Sequence, residues 1–293
     1  MKRLRNAAAS VGAWTLYQVP ALEAPYAYAA HAAHGVPGIH TLFRETTDRL
    51  VNRLKRDDLA YRRVRIGSLA PVFDVSNFTV KGQYFAHLDY EPGATRLVLD
   101  TLAAGDVFVD IGANSGYFTI LAALRVGAQG RVFAFEPNPP VRRQLERHLE
   151  LNTVADRVTV SDLALAGLDR DDGQLFVSCW PENDGIASLT PAAETVARGG
   201  LRDDRSIAVR VRRFDTWVQS VQLQRIDLLK IDVEGAETQV LSGMSATLSN
   251  IRPRRIICET PVGSDAVKML TECGYRVSTA DEIPGGIPNL LFE

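Results

Sequence analysis

From about Gly105 onward, short apolar runs alternate with segments whose apolar residues recur at helical spacing. This rhythm is typical of a parallel sheet covered by helices. It predicts strands over 107–111, 131–135, 158–161, 226–233, 254–260, 275–279 and 289–292. It predicts helices over 117–126, 139–152, 236–251 and 265–273. In the second of these helices Val141, Leu145 and Leu149 lie four apart on one face, as in a helix that packs on a sheet. The alternation of strands and helices predicts the α/β fold class.

Two parts of the chain lack this rhythm. Between 162 and 205 the sequence is rich in Asp, Gly and Pro, and we predict extra strands over 174–180 and 207–213. The loop over 180–205 that they flank is long enough to suggest a lid over a substrate pocket, with a passive surface insertion as the alternative. Residues 1–80 form a separate N-terminal extension, which we predict to be helical, and 81–293 form the catalytic domain.

Composition and charge fit an ordinary folded enzyme. The chain has 293 residues, of which 46% are hydrophobic and 23% charged. Its 33 basic and 35 acidic residues leave a formal charge of -2, which gives no overall attraction to a phosphate backbone. Nucleic acid is therefore not an expected partner.

The N-terminus resembles a signal peptide, because basic residues precede an Ala-rich stretch. Gln18 and Pro20 interrupt that stretch, and no apolar run approaches the roughly 20 residues that cross a bilayer. A weak peripheral contact with a membrane through Trp14, Leu16 and Tyr17 is left open, beside a helix packed on the domain or a frayed arm.

The cysteines and histidines suggest neither a disulfide framework nor a metal site. Cys179, Cys258 and Cys273 are odd in number and contain no C-x-x-C pair. We expect Cys258 and Cys273 to be buried thiols and the location to be reducing and cytoplasmic. The histidines form no motif, and His148 is expected at the surface of its helix.

A glycine-containing turn follows the first of the regular strands. Gly112 and Gly116 stand between this strand and a helix, where the backbone can pass close to a ligand. Glu136 ends the next strand about 20 residues on, where an acid in doubly wound folds binds ribose hydroxyls. A nicotinamide cofactor contains a pyrophosphate, which needs a second glycine in this turn, and Asn114 stands in that place. A nicotinamide-dependent oxidoreductase is therefore kept only as the alternative.

Asp110 lies just before this turn. A carboxylate there suits a ligand that carries an ammonium group, and S-adenosylmethionine carries both an ammonium and a sulfonium. The alternative role of Asp110 is to cap the backbone of the turn.

Three acids crowd the end of the strand predicted over 226–233, namely Asp232, Glu234 and Glu237. A hydroxyl nucleophile needs a base, and ligands of such folds bind at this rim of the sheet. Asp232 is the preferred base, because it shares one strand face with Lys230. Glu234 and Glu237 could instead stabilise the start of the following helix. An acid cluster without histidine is weak evidence for a divalent ion, so we predict no metal site.

Three motifs together resemble the FkbM-type methyltransferases: FVDIGANSGYFT from 108, AFEPN from 134 and LKIDVEGAE from 229. The likeness spans roughly 90–260. Other features that fit the same family are Tyr90-Glu-Pro92, the loop over 183–189, Phe214-Asp-Thr-Trp217 and Glu259. The resemblance implies the class I methyltransferase fold, a Rossmann-like, doubly wound seven-stranded sheet whose last strand is antiparallel.

It also implies S-adenosylmethionine as cofactor and O-methylation of a sugar, glycolipid or polyketide-type hydroxyl. The acceptor would be a small molecule, a glycan or a lipid-linked compound. Of the matching cofactor positions, Glu136 would bind the ribose, Asp162 would lie beside the adenine, and the turn would face the methionine part through Asp110, Gly112, Asn114 and Gly116. A non-catalytic cofactor-binding protein of the same fold remains an alternative.

Overall fold

In a computed structural model, the chain is described over residues 2–32, 36, 38–178, 187–189, 201–281 and 286–293. These residues divide into two compact units, Met1–Tyr90 and Glu91–Glu293. Cys179 and most of the predicted loop over 180–205 lie outside the described residues. The domain boundary after residue 80 stays a prediction.

The first unit is largely helical, as predicted for the N-terminal extension. Its helices are α1 (Lys2–Gln18), α2 (Glu23–Ala32), α3 (Ile39–Arg56) and α4 (Phe78–Ala86), with a 3-10 turn over Pro20–Leu22. Two short strands, β1 (Tyr61–Arg63) and β2 (Val72–Asp74), pair antiparallel. Ala9, Ala13 and Leu16 of α1 are buried, and α1 packs on α3.

The membrane contact left open for Trp14, Leu16 and Tyr17 stays a prediction, and the three side chains differ in exposure. Leu16 is 5% exposed and belongs to the core of this unit. The Tyr17 hydroxyl donates to Asp57 Oδ2 at 2.6 Å, and the ring lies under the Arg53 guanidinium. Only Trp14 points outward, with 56% of its surface exposed.

The second unit alternates strands and helices. Its first half contains α5 (Pro92–Thr101), β3 (Val107–Ile111), α6 (Tyr117–Val126), β4 (Arg131–Phe135), α7 (Pro139–Leu151), a 3-10 turn (Ala155–Arg157), β5 (Val158–Ser161), β6 (Ala164–Leu165), β7 (Arg170–Ser178) and β8 (Ala187–Ser188). Its second half contains β9 (Leu201–Arg212), α8 (Phe214–Val221), β10 (Leu228–Ile231), α9 (Glu237–Ser242), a π-helical turn (Thr247–Ile251), β11 (Ile256–Glu259), α10 (Asp265–Glu272), β12 (Val277–Asp281) and β13 (Asn289–Phe292).

Seven of these strands form one sheet in the order β12-β13-β11-β10-β3-β4-β5. The pairs from β11 through β10, β3 and β4 to β5 are parallel. The last strand, β13, is antiparallel to both β11 and β12. The strand order reverses between β3 and β10, and ligands of open α/β sheets bind in the crevice at such a point. The predicted doubly wound, seven-stranded sheet with an antiparallel last strand is confirmed.

The two extra strands predicted over 174–180 and 207–213 belong to a second sheet. Its order is β6-β9-β7-β8, and β7 pairs antiparallel with β9. Ala164, Leu175, Val209 and Val211 form its own small core.

The single helix predicted over 236–251 is wrong, because the chain breaks at Gly243. The Gly243 carbonyl accepts a hydrogen bond from the backbone of Asp215, and a Cβ there would collide with the Ala166 carbonyl. The Asp215 carboxylate then accepts the backbone N–H groups of Ala246 and Thr247 at 3.0 and 2.8 Å. A tertiary contact therefore starts a new helical turn where sequence periodicity predicts a continuous helix.

Candidate active site

The turn between β3 and α6 has an unusual backbone. Gly112, Asn114 and Gly116 have φ angles of 85, 51 and 93°. A Cβ at Gly112 would collide with the backbone carbonyl oxygen of Asp232. Glycine is thus required here because the turn passes against the end of β10. The turn predicted to hold the cofactor and the acid predicted to act on the acceptor therefore adjoin.

Glu136 lies beside this turn, directly after β4. Its Oε2 accepts the backbone N–H of Asn114 at 2.9 Å, and its Oε1 accepts that of Asn138 at 2.8 Å. The residue is 6% exposed. Burial raises the pKa of Glu136 to about 7, against the lowering effect of these hydrogen bonds and of Arg142. Each carboxylate oxygen keeps a further lone pair, so the group can still accept ribose hydroxyls.

The raised pKa of Glu136 predicts that cofactor affinity depends on pH. Ribose hydroxyls donate to the ionised carboxylate, so binding removes the proton that Glu136 carries below about pH 7. The affinity for S-adenosylhomocysteine should therefore fall by up to about tenfold per pH unit below this pKa and stay level above it. Calorimetric titrations across this range measure the effect. The Glu136→Gln variant should show a flat profile, and an equal slope in that variant would assign the proton to another group.

Asp110 is buried at the end of β3, with 1% of its surface exposed. Its Oδ2 accepts the Thr119 hydroxyl at 2.6 Å, whereas its Oδ1 has no partner among the described residues. A buried acceptor without a donor is costly, which indicates a group that binds there. The ammonium of S-adenosylmethionine, or a water that it holds, fits this position.

His148 lies behind the turn rather than at the surface. It is fully buried in α7, and its Nδ1 lies 2.7 Å from the Ser115 carbonyl oxygen. The expectation of a surface histidine is therefore wrong. The residue type misleads here, because helical spacing places position 148 on the inward face with Val141 and Leu145, where the backbone of the turn satisfies the imidazole.

Asp162 follows β5 at the same edge of the sheet. Its two carboxylate oxygens lie 2.8 and 3.0 Å from Nη2 of Arg210, and its side chain is 48% exposed. An exposed pair of this kind is easily exchanged for a ligand contact. The position of Asp162 beside the adenine stays a prediction.

Lys230 and Asp232 form a buried ion pair at the end of β10. Lys230 Nζ lies 2.6 Å from Asp232 Oδ2, and the lysine side chain is 2% exposed. Burial alone would lower the pKa of Lys230, but the charges of Asp232, Glu91 and Asp110 outweigh it and raise that pKa. Burial likewise opposes the ionisation of Asp232, yet the Lys230 charge and a hydrogen bond from Glu259 hold the pKa of Asp232 below its usual value.

Glu91 and Glu259 complete the cluster. Their carboxylate oxygens lie within 4.8 Å of each other and of an Asp232 oxygen. Glu91 precedes α5 in a left-handed conformation with φ of 39°, and Asn289 Nδ2 donates to its Oε2 at 2.9 Å. Burial, and then the charge of Asp232, raise the pKa of Glu259 to about 11. The pair therefore favours one shared proton, held on the Glu259 side.

The sequence identified these two acids only as features of a family. Glu259 is the last residue of β11, and Asp232 directly follows β10. Because neighbouring parallel strands end at the same edge of a sheet, the strand order could have predicted that these two acids lie close together. Glu91 lies far away in the sequence, before the first strand of the sheet, and no local pattern reveals it.

Glu237 and Glu234 have different surroundings. Glu237 Oε1 accepts the backbone N–H groups of Val233 and Gly235 at 3.2 and 3.0 Å, which favours the role of stabilising the start of α9. Glu234 adopts a φ of 54° and is exposed to solvent. Partial loss of hydration at its carboxyl group, and then the charges of Asp232 and Glu237, raise the pKa of Glu234 to about 7.

Within the described part of the chain, Glu91, Asp232 and Glu259 have the spacing of metal ligands. Lys230 already supplies a positive charge to Asp232 at 2.6 Å, so the cluster does not require a second cation. We therefore expect dialysis against EDTA to leave turnover unchanged, and added Mg²⁺ to restore nothing. A loss of activity that Mg²⁺ or Mn²⁺ reverses would instead make these acids a metal centre.

The strand order, the left-handed turn after β3 and the acid after β4 define a class I, Rossmann-like methyltransferase. The model of the methyltransferase FkbM domain matches residues 110–277. The chain belongs to the FkbM methyltransferase family, as its three motifs predict. The cofactor of this family is S-adenosylmethionine.

Two curated relatives act on defined classes of compound. The 2-O-methyltransferase NoeI of Sinorhizobium fredii is 30% identical over 54% of this chain and 65% of its own length. The hexuronic acid methyltransferase AglP of Haloferax volcanii is 27% identical over 62% of this chain and 68% of its own length. The matched segments cover 8 to 65% of the lengths of the first four relatives, so the substrates of these relatives are not assigned directly to this chain.

The crystal structure of the methyltransferase FkbM from Methylobacillus flagellatus KT is a distant likeness. It is 16% identical, with a TM-score of 0.44 over 92% of this chain and 59% of that one. This degree of similarity does not bear on substrate or mechanism. Among the described residues, no helix is long and apolar enough to cross a membrane.

Proposed function

We propose that the protein transfers a methyl group from S-adenosylmethionine to a hydroxyl oxygen of a sugar, glycolipid or polyketide-type small molecule. The observation that carries the proposal is the contact between the turn at Gly112 and the backbone of Asp232. It brings the turn, where with Asp110 and Glu136 we propose the cofactor binds, next to a cluster of acids that can bind a hydroxyl. The names of NoeI and AglP support an oxygen acceptor on a carbohydrate.

When bound, S-adenosylmethionine supplies a methyl group that its sulfonium has already activated. The main contribution of the protein is then to hold the acceptor oxygen in line at near-attack distance. Asp232 is fixed for this purpose, because Lys230 and Glu259 both hold its carboxylate. The remaining lone pairs of that carboxylate can accept the hydrogen of an acceptor hydroxyl.

The low pKa of Asp232 does not prevent it from acting as the base. The proton of the acceptor becomes strongly acidic only while the oxygen–methyl bond forms, so a weak carboxylate base suffices at that stage. Glu234, whose pKa is about 7, is the second candidate base. If Glu234 were the base, turnover would fall as the pH drops below about 7, whereas a base at Asp232 keeps its charge through this range.

The test of the proposed function is methyl transfer to a panel of hydroxyl compounds. We would incubate the intact protein and methyl-labelled S-adenosylmethionine with monosaccharides, uronic acids, glycolipids and polyketide-type alcohols. The amount of labelled product is then measured for each compound. We expect label on at least one carbohydrate or lipid-linked hydroxyl. Label only on nitrogen or carbon atoms, or on added RNA, would contradict the proposal.

A reducing, cytoplasmic location is part of the same proposal and rests on the free thiols of Cys258 and Cys273.

A further inference from the structure

Helix α1 carries apolar residues on two opposite faces. Ala9, Ala13 and Leu16 form the buried face that packs on α3. Leu4, Val11 and Trp14 are 77%, 65% and 56% exposed. Their spacings of seven and three residues place them on one side of the helix, so they form an exposed apolar ridge.

A single exposed leucine is ordinary on a protein surface, but three large apolar side chains in a row on one helix are not. A contiguous patch of this kind marks a site of interaction. The nature of the partner follows from the charges beside the ridge.

The neighbouring helix α3 places basic residues next to Trp14. An open groove of about 340 Å³ is lined from α1 by Ser10 and Trp14 and from α3 by Arg49, Arg53 and Arg56. Arg49 and Arg56 are exposed. Arg53 stacks on Tyr17 at 3.9 Å and its Nε lies 4.0 Å from Asp57 Oδ2, so Asp57 partly balances its charge while Arg49 and Arg56 remain exposed beside it.

This basic groove belongs to a unit whose net charge differs from that of the rest of the chain. Met1–Tyr90 contains 12 Lys and Arg residues against 7 Asp and Glu, whereas Glu91–Glu293 contains 21 against 28. The formal charge of -2 for the whole chain hides this asymmetry. The first unit is therefore attracted to anionic surfaces although the chain as a whole is acidic.

We propose that the exposed ridge of α1 and the arginine groove together dock on an anionic lipid surface. The ridge would enter the boundary between headgroups and acyl chains, and Arg49 and Arg56 would lie against lipid phosphates. Tryptophan is enriched at this depth, where its ring is apolar and its N–H remains hydrated. This inference concerns the first unit alone and does not depend on the reaction.

Other occupants fit the combined features less well. A nucleic acid would use the arginines but leaves the apolar ridge without a partner. A second copy of the chain, paired through the same face, would bring the two arginine grooves together and repel. An anionic bilayer satisfies both features at once. Lipid-linked hydroxyl compounds are then the first acceptors to test.

The experiment is co-sedimentation of the full chain with vesicles of phosphatidylcholine alone or mixed with phosphatidylglycerol. We expect binding to the anionic vesicles that weakens with added salt. The Val11→Ser, Trp14→Ser variant should bind at least about tenfold more weakly, because the buried apolar area is lost. Arg49→Gln and Arg56→Gln should each cost about fivefold.

Matched controls come from the same unit. Tyr28 is 72% exposed on α2, and Arg44 is exposed on a different side of α3, so Tyr28→Ser and Arg44→Gln should bind as the unchanged protein does. Trp14→Phe should retain most of the binding. Because all these positions are exposed, thermal unfolding should be unchanged in every variant.

Equal binding to neutral and anionic vesicles, binding to neither, or losses as large in the controls would overturn the proposal. A fall in oligomeric size of Trp14→Ser without any vesicle binding would show that a second copy covers the ridge. Tight RNA binding that the arginine variants lose, with no vesicle binding, would assign the groove to nucleic acid.

Discussion

Replacing Asp232 by Asn is expected to reduce turnover by at least about tenfold, and by as much as ten-thousandfold, while S-adenosylhomocysteine affinity changes little. The substitution keeps the shape of the side chain and removes the charge that can accept the acceptor proton. An interaction used mainly in the transition state lowers the rate without weakening cofactor binding. Steady-state turnover on the acceptor found in the panel, with calorimetric binding in parallel, measures both quantities.

Two controls make this result interpretable. Asp232→Asn leaves the buried Lys230 ammonium without its charged partner, so thermal unfolding must show that the variant is folded at the assay temperature. Glu234→Gln removes a neighbouring acid that has no ion pair with Lys230 among the described residues and should keep most of the turnover. Equal loss of binding and turnover in Asp232→Asn would make Asp232 a cofactor ligand. Loss of neither would move the base to Glu234 or Glu237.

Glu136→Ala should weaken S-adenosylhomocysteine binding by about a hundredfold. Two hydrogen bonds from the ribose to a charged acceptor disappear, at a cost on the order of 3 kcal/mol. Glu136 also accepts the backbone N–H groups of Asn114 and Asn138, so part of the effect acts through the shape of the turn. Calorimetric titration measures the affinity.

Glu136→Gln separates these two contributions, because its amide oxygen can still accept one of the backbone hydrogen bonds. It should weaken binding less than Glu136→Ala does. Glu150→Ala, whose exposed carboxylate pairs with Arg147 on α7, is the control and should bind normally. Unchanged affinity in a folded Glu136→Ala protein would rule out the ribose role.

The sequence predicted most of the main sheet. The strands over 107–111, 131–135, 158–161 and 289–292 have the predicted bounds, because each is a short apolar run enclosed by turn residues. The break at Gly243 could not be predicted in this way. It depends on Asp215, which is distant in sequence and caps the next helical turn. Local periodicity contains no information on such a contact.

The cofactor side of the site was also accessible to sequence reasoning, because the turn and Glu136 follow consecutive parallel strands. The structure brings them together, with the Asn114 N–H 2.9 Å from Glu136 Oε2. The acceptor side was only partly accessible. Asp232 was predicted from its motif, but Glu91 lies near it from the start of the unit, accepts a hydrogen bond from Asn289, and has a left-handed backbone without a sequence signal.

The most direct test of the account is a side-by-side calorimetric titration of the intact protein with S-adenosylhomocysteine and with NAD. The turn contains Asn114 where a pyrophosphate cofactor requires glycine, and Asp110 offers a buried oxygen without a partner among the described residues. We predict saturable binding of S-adenosylhomocysteine that Glu136→Ala weakens, and no binding of NAD. Saturable binding of NAD with no heat from S-adenosylhomocysteine would contradict the assignment as a methyltransferase.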